Sequence, residues 1–149
     1  MGADGRYASH SLFGNKKLWL WVFAANLAHE GKFRPRQLVT FYLPDMEGVA
    51  FSNATVRQVM DMSTAFQYSE SYLDKNSEIF NHMCSGGMVP APDDYNGPLT
   101  VRDFCTMMKR ENPVGQHGIS FTYRSINTDI LVWIVEHVLG GGPSDFDST

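Results

Sequence analysis

Two short stretches carry the residue types that could do chemistry. In "HSLFGNKKLWLW", residues 10–21, Lys17 falls three residues after Gly14, within what the flanking apolar residues make the first turn of a helix. In "FTYRSINTDILVWIVEH", residues 121–137, Tyr123 and Ser125 immediately precede a second strongly apolar segment. Neither Gly14 nor Lys17 favours its helix, because glycine caps less well than Ser or Asp and a cation near the N-terminus opposes the macrodipole. A lysine and a tyrosine held together at a helix N-terminus make a proton-handling device. Burial depresses the pKa of the lysine and a neighbouring cation that of the tyrosine, and one of them becomes the base for an adjacent hydroxyl. The device needs a serine nucleophile. By spacing alone the plainer alternative is favoured: Lys17 extends to the surface and Tyr123 packs its ring.

Other chemistries find less support. His29-Glu30 is followed by Gly31 and Lys32 rather than by a second histidine, so the zincin pattern fails. The remaining histidines, His10, His82, His117 and His137, are scattered and read as ordinary surface or satisfied positions. Cys84 and Cys105 have no partners at zinc spacing, and two cysteines are too few for a disulfide framework, so no metal ligands are assigned and a reducing compartment fits. No G-x-S-x-G elbow is present, and the glycine-rich tail "GGGPSDFDST" lacks the lysine of a phosphate loop.

The elements that must position these residues are helices. From Leu18 to Glu30 apolar residues fall on nearly every face, which predicts a central helix buried all round, closed by Gly31 with Pro35 beyond. "FRPRQLVTFYLPDMEG" reads as a short helix or extended segment running into a loop. Asn53 or Thr55 is placed to cap a short helix through Val56, Val59 and Met60. "LTVRDFCTMMKRE" opens with Thr100 as N-cap and Asp103 at N3, and "SINTDILVWIVEHVLGGG" is a helix ending at a glycine run. Residues 81–98, rich in glycine and proline, are expected to form a long loop. Nothing alternates at period two over five or more residues, so the chain reads as mainly α.

The 149 residues are 43% hydrophobic and 13% aromatic, enough for one globular domain over 1–149. A net charge of −4 with no basic stripe argues against nucleic acid. The longest mainly apolar run, Leu18 to Ala28, is too short to span a bilayer, and no secretory signal is visible at the N-terminus, which leaves a cytoplasmic location as the expectation.

The motifs then point further than spacing does. "HSLFGNKKLWLWVFAANLAHEGK" resembles the nucleophile helix of the serine β-lactamase-related hydrolases, H-x-L-x-S-x-x-K followed by E-G-K, in the branch of the 6-aminohexanoate-dimer hydrolases. "YLPDMEGVAFSNATVRQVMDMSTAFQYSESY" resembles the segment that follows, and "FTYRSINTDILVWIVEH" resembles the family's tyrosine motif. The resemblance runs from about His10 to Gly141. It implies the helical lobe of a two-lobed α+β enzyme, with the nucleophile helix at about 14–30, the tyrosine motif at about 121–129, and most of the antiparallel sheet missing together with the strand that carries the third motif.

Carried across by motif, the catalytic lysine falls on Lys17, the tyrosine on Tyr123, and Ser125 stands where many relatives have Asn. The nucleophile falls on Gly14. Placing it on Ser11 would put Gly14 at the lysine position, so the Gly14 register is preferred. Asn15, Lys16, Leu18 and Ala65 also depart from the usual pattern. The resemblance implies amide or ester hydrolysis without metal or organic cofactor, in a fragment or degenerate member that should be inactive as written. The alternatives are a ligand-binding module, in which a pocket around Lys17, Tyr72 and Tyr123 with Ser125 holds a small carboxylate, amide or ester, and a helical interaction module that docks on a sheet lobe or self-associates.

Overall fold

The computed structural model describes residues 15–109 and 115–140, and for residues 15 and 16 the backbone alone. Among the described residues six α-helices are formed: α1 (Asn15–His29), α2 (Val39–Tyr42), α3 (Val56–Met60), α4 (Glu78–Ser85), α5 (Val101–Met107) and α6 (Ile126–Val138), with a 3-10 turn at Pro44–Met46. Among the described residues there is no strand, and a single antiparallel bridge joins Leu38 to Thr55.

The centre of the fold is α6. Ile126, Asn127, Thr128, Ile130, Leu131, Trp133, Ile134 and Val135 are all buried, and the helix touches α1, α2, α3 and α5. Because apolar residues recur on all its sides, it satisfies every neighbour at once. Around it lie Val39, Met46, Val56 and Val59, with the rings of Phe51 and Phe66 packed at 4.8 Å between centroids.

Local signals placed several elements correctly. Thr55 caps α3 in a full capping box with Gln58, and the Thr100 side chain accepts the Asp103 N–H at the start of α5. Gly31, at φ 73°, closes α1 with the Lys32 N–H on the Leu27 carbonyl. The segment before Pro44 is the short helix α2.

Two expectations are corrected. Residues 81–98 do not form one long loop, because α4 occupies 78–85; Ser77 caps it, accepting the Phe80 N–H, and Ile79, His82 and Cys84 turn inward. Nor is α1 buried all round. Ala24 and Leu27 are buried and Leu20, Trp21 and Ala28 lean on the core, while Leu18 (68% exposed), Trp19 (71%), Val22 and Phe23 face outward. The sequence spreads apolar residues over both faces, and only one of them is covered by the described residues.

Candidate active site

Lys17 lies on the packed stripe of α1 with Trp21, Ala24 and Ala28, at spacings of four, three and four residues. Trp21 fixes that stripe: its indole N–H donates to the Met60 carbonyl at 2.7 Å, tying α1 to the end of α3. Lys17 therefore emerges at the N-terminal end of α1 over the turn that follows α3.

Tyr123 reaches the same place from the segment before α6, and that segment is pinned to residues 58–66. The Gly118 N–H donates to the Ser63 carbonyl at 2.7 Å and the Thr122 N–H to the Met62 carbonyl at 2.8 Å. His117 Nδ1 accepts the Ala65 N–H, and Gln58 Nε2 donates to the His117 carbonyl. At Gly118 any Cβ would meet Gln58 Nε2 at 2.8 Å on a φ of 91°, so this crossing requires glycine. Arg124, 7% exposed, donates from Nη1 to the Thr64 carbonyl and from Nη2 to the Phe66 carbonyl, with its guanidinium over the Phe66 ring.

With both arms held, the Lys17 ammonium donates a hydrogen bond to the Tyr123 phenol oxygen, and Nζ stands 5.0 Å from the ring centroid. Ser125 lies at the head of α6, 3% exposed; its N–H donates to Glu70 Oε1 at 2.8 Å, and its Oγ is buried. Tyr72, 53% exposed, stands beside it. Burial first, then the Glu70 carboxylate, push the Tyr72 phenol above its ordinary value, with Tyr123 adding to the rise. The Ser125 hydroxyl pulls the other way.

The structure thus gathers Lys17, Tyr123, Ser125 and Tyr72 at one edge. Gly14 and the alternative Ser11 lie outside the described residues. Sequence reasoning missed Arg124, Glu70 and Asn127, whose roles depend on contacts 55 to 65 positions away in the chain. Their signal was proximity to the motifs: Arg124 lies between Tyr123 and Ser125, and Glu70 two residues before Tyr72. His82 is satisfied, as expected, although it sits within α4, and His117 takes the Ala65 N–H on Nδ1.

Chemically, an amine and a phenol sharing a hydrogen bond can pass a proton between them and to a third group placed alongside. Among the described residues no cluster of His, Cys, Asp and Glu could hold a metal ion, and no helix is long and apolar enough to cross a membrane. A separate cleft of about 440 Å³, lined in part by Gln67, Asn81, Asn96 and Phe104, contains neither Lys17 nor Tyr123, and its Glu78 is engaged by the Ser69 N–H.

Comparison with known proteins bears on this geometry. The β-lactamase family profile matches residues 4–146. A 6-aminohexanoate-dimer hydrolase of Paenarthrobacter ureafaciens is 34% identical over 131 residues, covering 88% of this chain and 32% of that protein. A solved structure described as "Putative 6-aminohexanoate-dimer hydrolase from Bacillus anthracis" superposes with a TM-score of 0.72 at 21% identity, over 83% of this chain and 32% of that one. The chain spans about a third of the length of each of these two relatives.

Proposed function

From the premise that this chain belongs to the β-lactamase family, we propose that Lys17 and Tyr123 are the proton-handling pair of a serine-hydrolase site for amides or esters, and that Gly14 occupies the nucleophile's position. The observation that carries this reading is the hydrogen bond from Lys17 to Tyr123 at the N-terminal end of α1. In a chain with serine at position 14, the pair would take the hydroxyl proton as the oxygen attacks the carbonyl, then return it to the leaving amine or alcohol. Glycine offers no oxygen, so as written the chain should not form an acyl-enzyme.

A second reading is favoured by Tyr72 and Tyr123, which are 53% and 45% exposed beside Lys17 and Ser125 and offer hydroxyls to a carboxylate, amide or ester of a bound small molecule. In this reading the site binds without turnover. The outward apolar face of α1, formed by Leu18, Trp19, Val22 and Phe23, would then serve as the surface on which a sheet lobe, or a second copy, packs.

Intact-mass spectrometry after incubation with a fluorophosphonate or a β-lactam tests the assignment. No adduct at residue 14 is expected; an adduct on Ser11 would move the nucleophile there and overturn the register.

A further inference from the structure

Three helices of this chain end with a left-handed residue, and each time it is a glycine: Gly31 after α1 (φ 73°), Gly87 after α4 (69°) and Gly140 after α6 (82°). Helix α3 ends the same way. The Ser63 N–H donates to the Gln58 carbonyl at 2.9 Å and the Met62 N–H to the Val59 carbonyl at 3.2 Å, the bond pair of a Schellman cap. Here the left-handed position holds Met62, at φ 52°, the one non-glycine residue in that region among the described residues. A Cβ is disfavoured there, so capping alone would select glycine.

The side chain and the carbonyl supply the missing reason. Met62 is 8% exposed, and its thioether sulfur accepts from Asn127 Nδ2 at 3.3 Å. Asn127 is fully buried in the first turn of α6, and its Oδ1 accepts the Thr64 hydroxyl at 2.9 Å. The Met62 carbonyl accepts the N–H of Thr122, the residue before Tyr123. Two residues earlier, the Met60 carbonyl holds Trp21, four residues along α1 from Lys17. One strained turn therefore touches both arms of the site.

We propose that Met62 is a positioning residue for the Lys17–Tyr123 pair: its buried side chain locks the turn after α3 against α6, so that the turn's carbonyls set the two arms at contact distance. The inference rests on the reading of that pair as the reactive site, and it follows the rule that strain persists where surrounding contacts over-determine it.

The test is nuclear Overhauser spectroscopy on the full chain with labelled lysine and tyrosine, reading cross-peaks between the Lys17 ε-methylene and the Tyr123 ring. In the unaltered chain the cross-peaks are expected; their absence would sink the reading of the pair itself. M62G and M62N both suit a left-handed cap but withdraw the thioether, and each is expected to weaken the cross-peaks by about fivefold or more while thermal unfolding stays cooperative. M62L keeps the buried bulk and is expected to retain most of the signal. Cross-peaks unchanged in M62G or M62N would make Met62 a helix cap only. Equal loss of signal and of thermal stability in all variants that fold would reduce the effect to general loosening. Either result overturns the proposal.

Discussion

Lys17 and Tyr123 meet across 106 positions of chain, the ammonium donating to the phenol oxygen at the edge of the fold rather than in its core. Tyr123 is 45% exposed, and Lys17 is only partly covered. Contacts of this exposure stabilise a fold by about 0 to 1 kcal/mol. K17A and Y123F are therefore each expected to change the urea-unfolding free energy by less than about 1 kcal/mol. A loss of more than about 2 kcal/mol in either would make the pair a structural prop instead of a functional one.

His82 should behave oppositely. It is 4% exposed, its Nε2 lies 2.9 Å from Asp129 Oδ2, its Nδ1 lies 2.8 Å from the Tyr68 hydroxyl, and its ring stacks on Phe104. Removing the imidazole leaves a mostly buried carboxylate without its partner. H82A is expected to cost about 3 to 5 kcal/mol by urea unfolding, and D129N, which can still accept a hydrogen bond, about half as much. A cost below about 1 kcal/mol for H82A would show that water replaces the ring.

The fold should weaken in alkali. Burial first, then Asp129, push the Cys105 thiol well above its ordinary 9.0, with Arg102 opposing. Burial first, then Glu70 and Asp129, push the Tyr68 phenol above its ordinary 10.0. Both groups keep their proton in the folded chain at a pH where the unfolded chain releases it. The stability they contribute is complete below those ordinary values and is lost as pH rises past them. Each group in its window is expected to remove about 1.4 kcal/mol per pH unit. Urea unfolding from about pH 8 to about pH 10.5 measures this. C105A should delay the onset and Y68F should flatten the upper part; a flat profile in the unaltered chain would contradict the burial of both groups.

The outward face of α1 carries Trp19 at 71% exposure next to Leu18 at 68%. A contiguous apolar surface of this kind drives association. Light scattering is expected to show concentration-dependent self-association that the W19E/F23E double variant reduces, with its thermal midpoint unchanged. If the unaltered chain stays monomeric at high concentration, the face is not adhesive.

How much of this was legible in the sequence follows from the range of each interaction. Thr55, Thr100 and Gly31 act within one turn, and their residue types announced the ends of α3, α5 and α1. The Lys17 and Tyr123 motifs were legible by type, and their meeting place followed from the resemblance. The exposure of Leu18 and Trp19 was not legible, because an apolar residue records that it is suited to cover, not which surface supplies it. Helix α4 was hidden by the glycines and prolines that follow it, although Ser77 was its cap. Arg124, Glu70 and Met62 act through backbone groups brought close only by folding, which no local pattern encodes.

The central claim is that position 14 is the nucleophile's place beside a working Lys17–Tyr123 pair. Installing serine there and following fluorophosphonate labelling by intact mass tests it most directly. The account predicts one adduct per chain, mapped by peptide sequencing to residue 14, and at least about tenfold slower labelling in the G14S/K17A double variant. An adduct on Ser11, or labelling of G14S that is indifferent to Lys17, would contradict it.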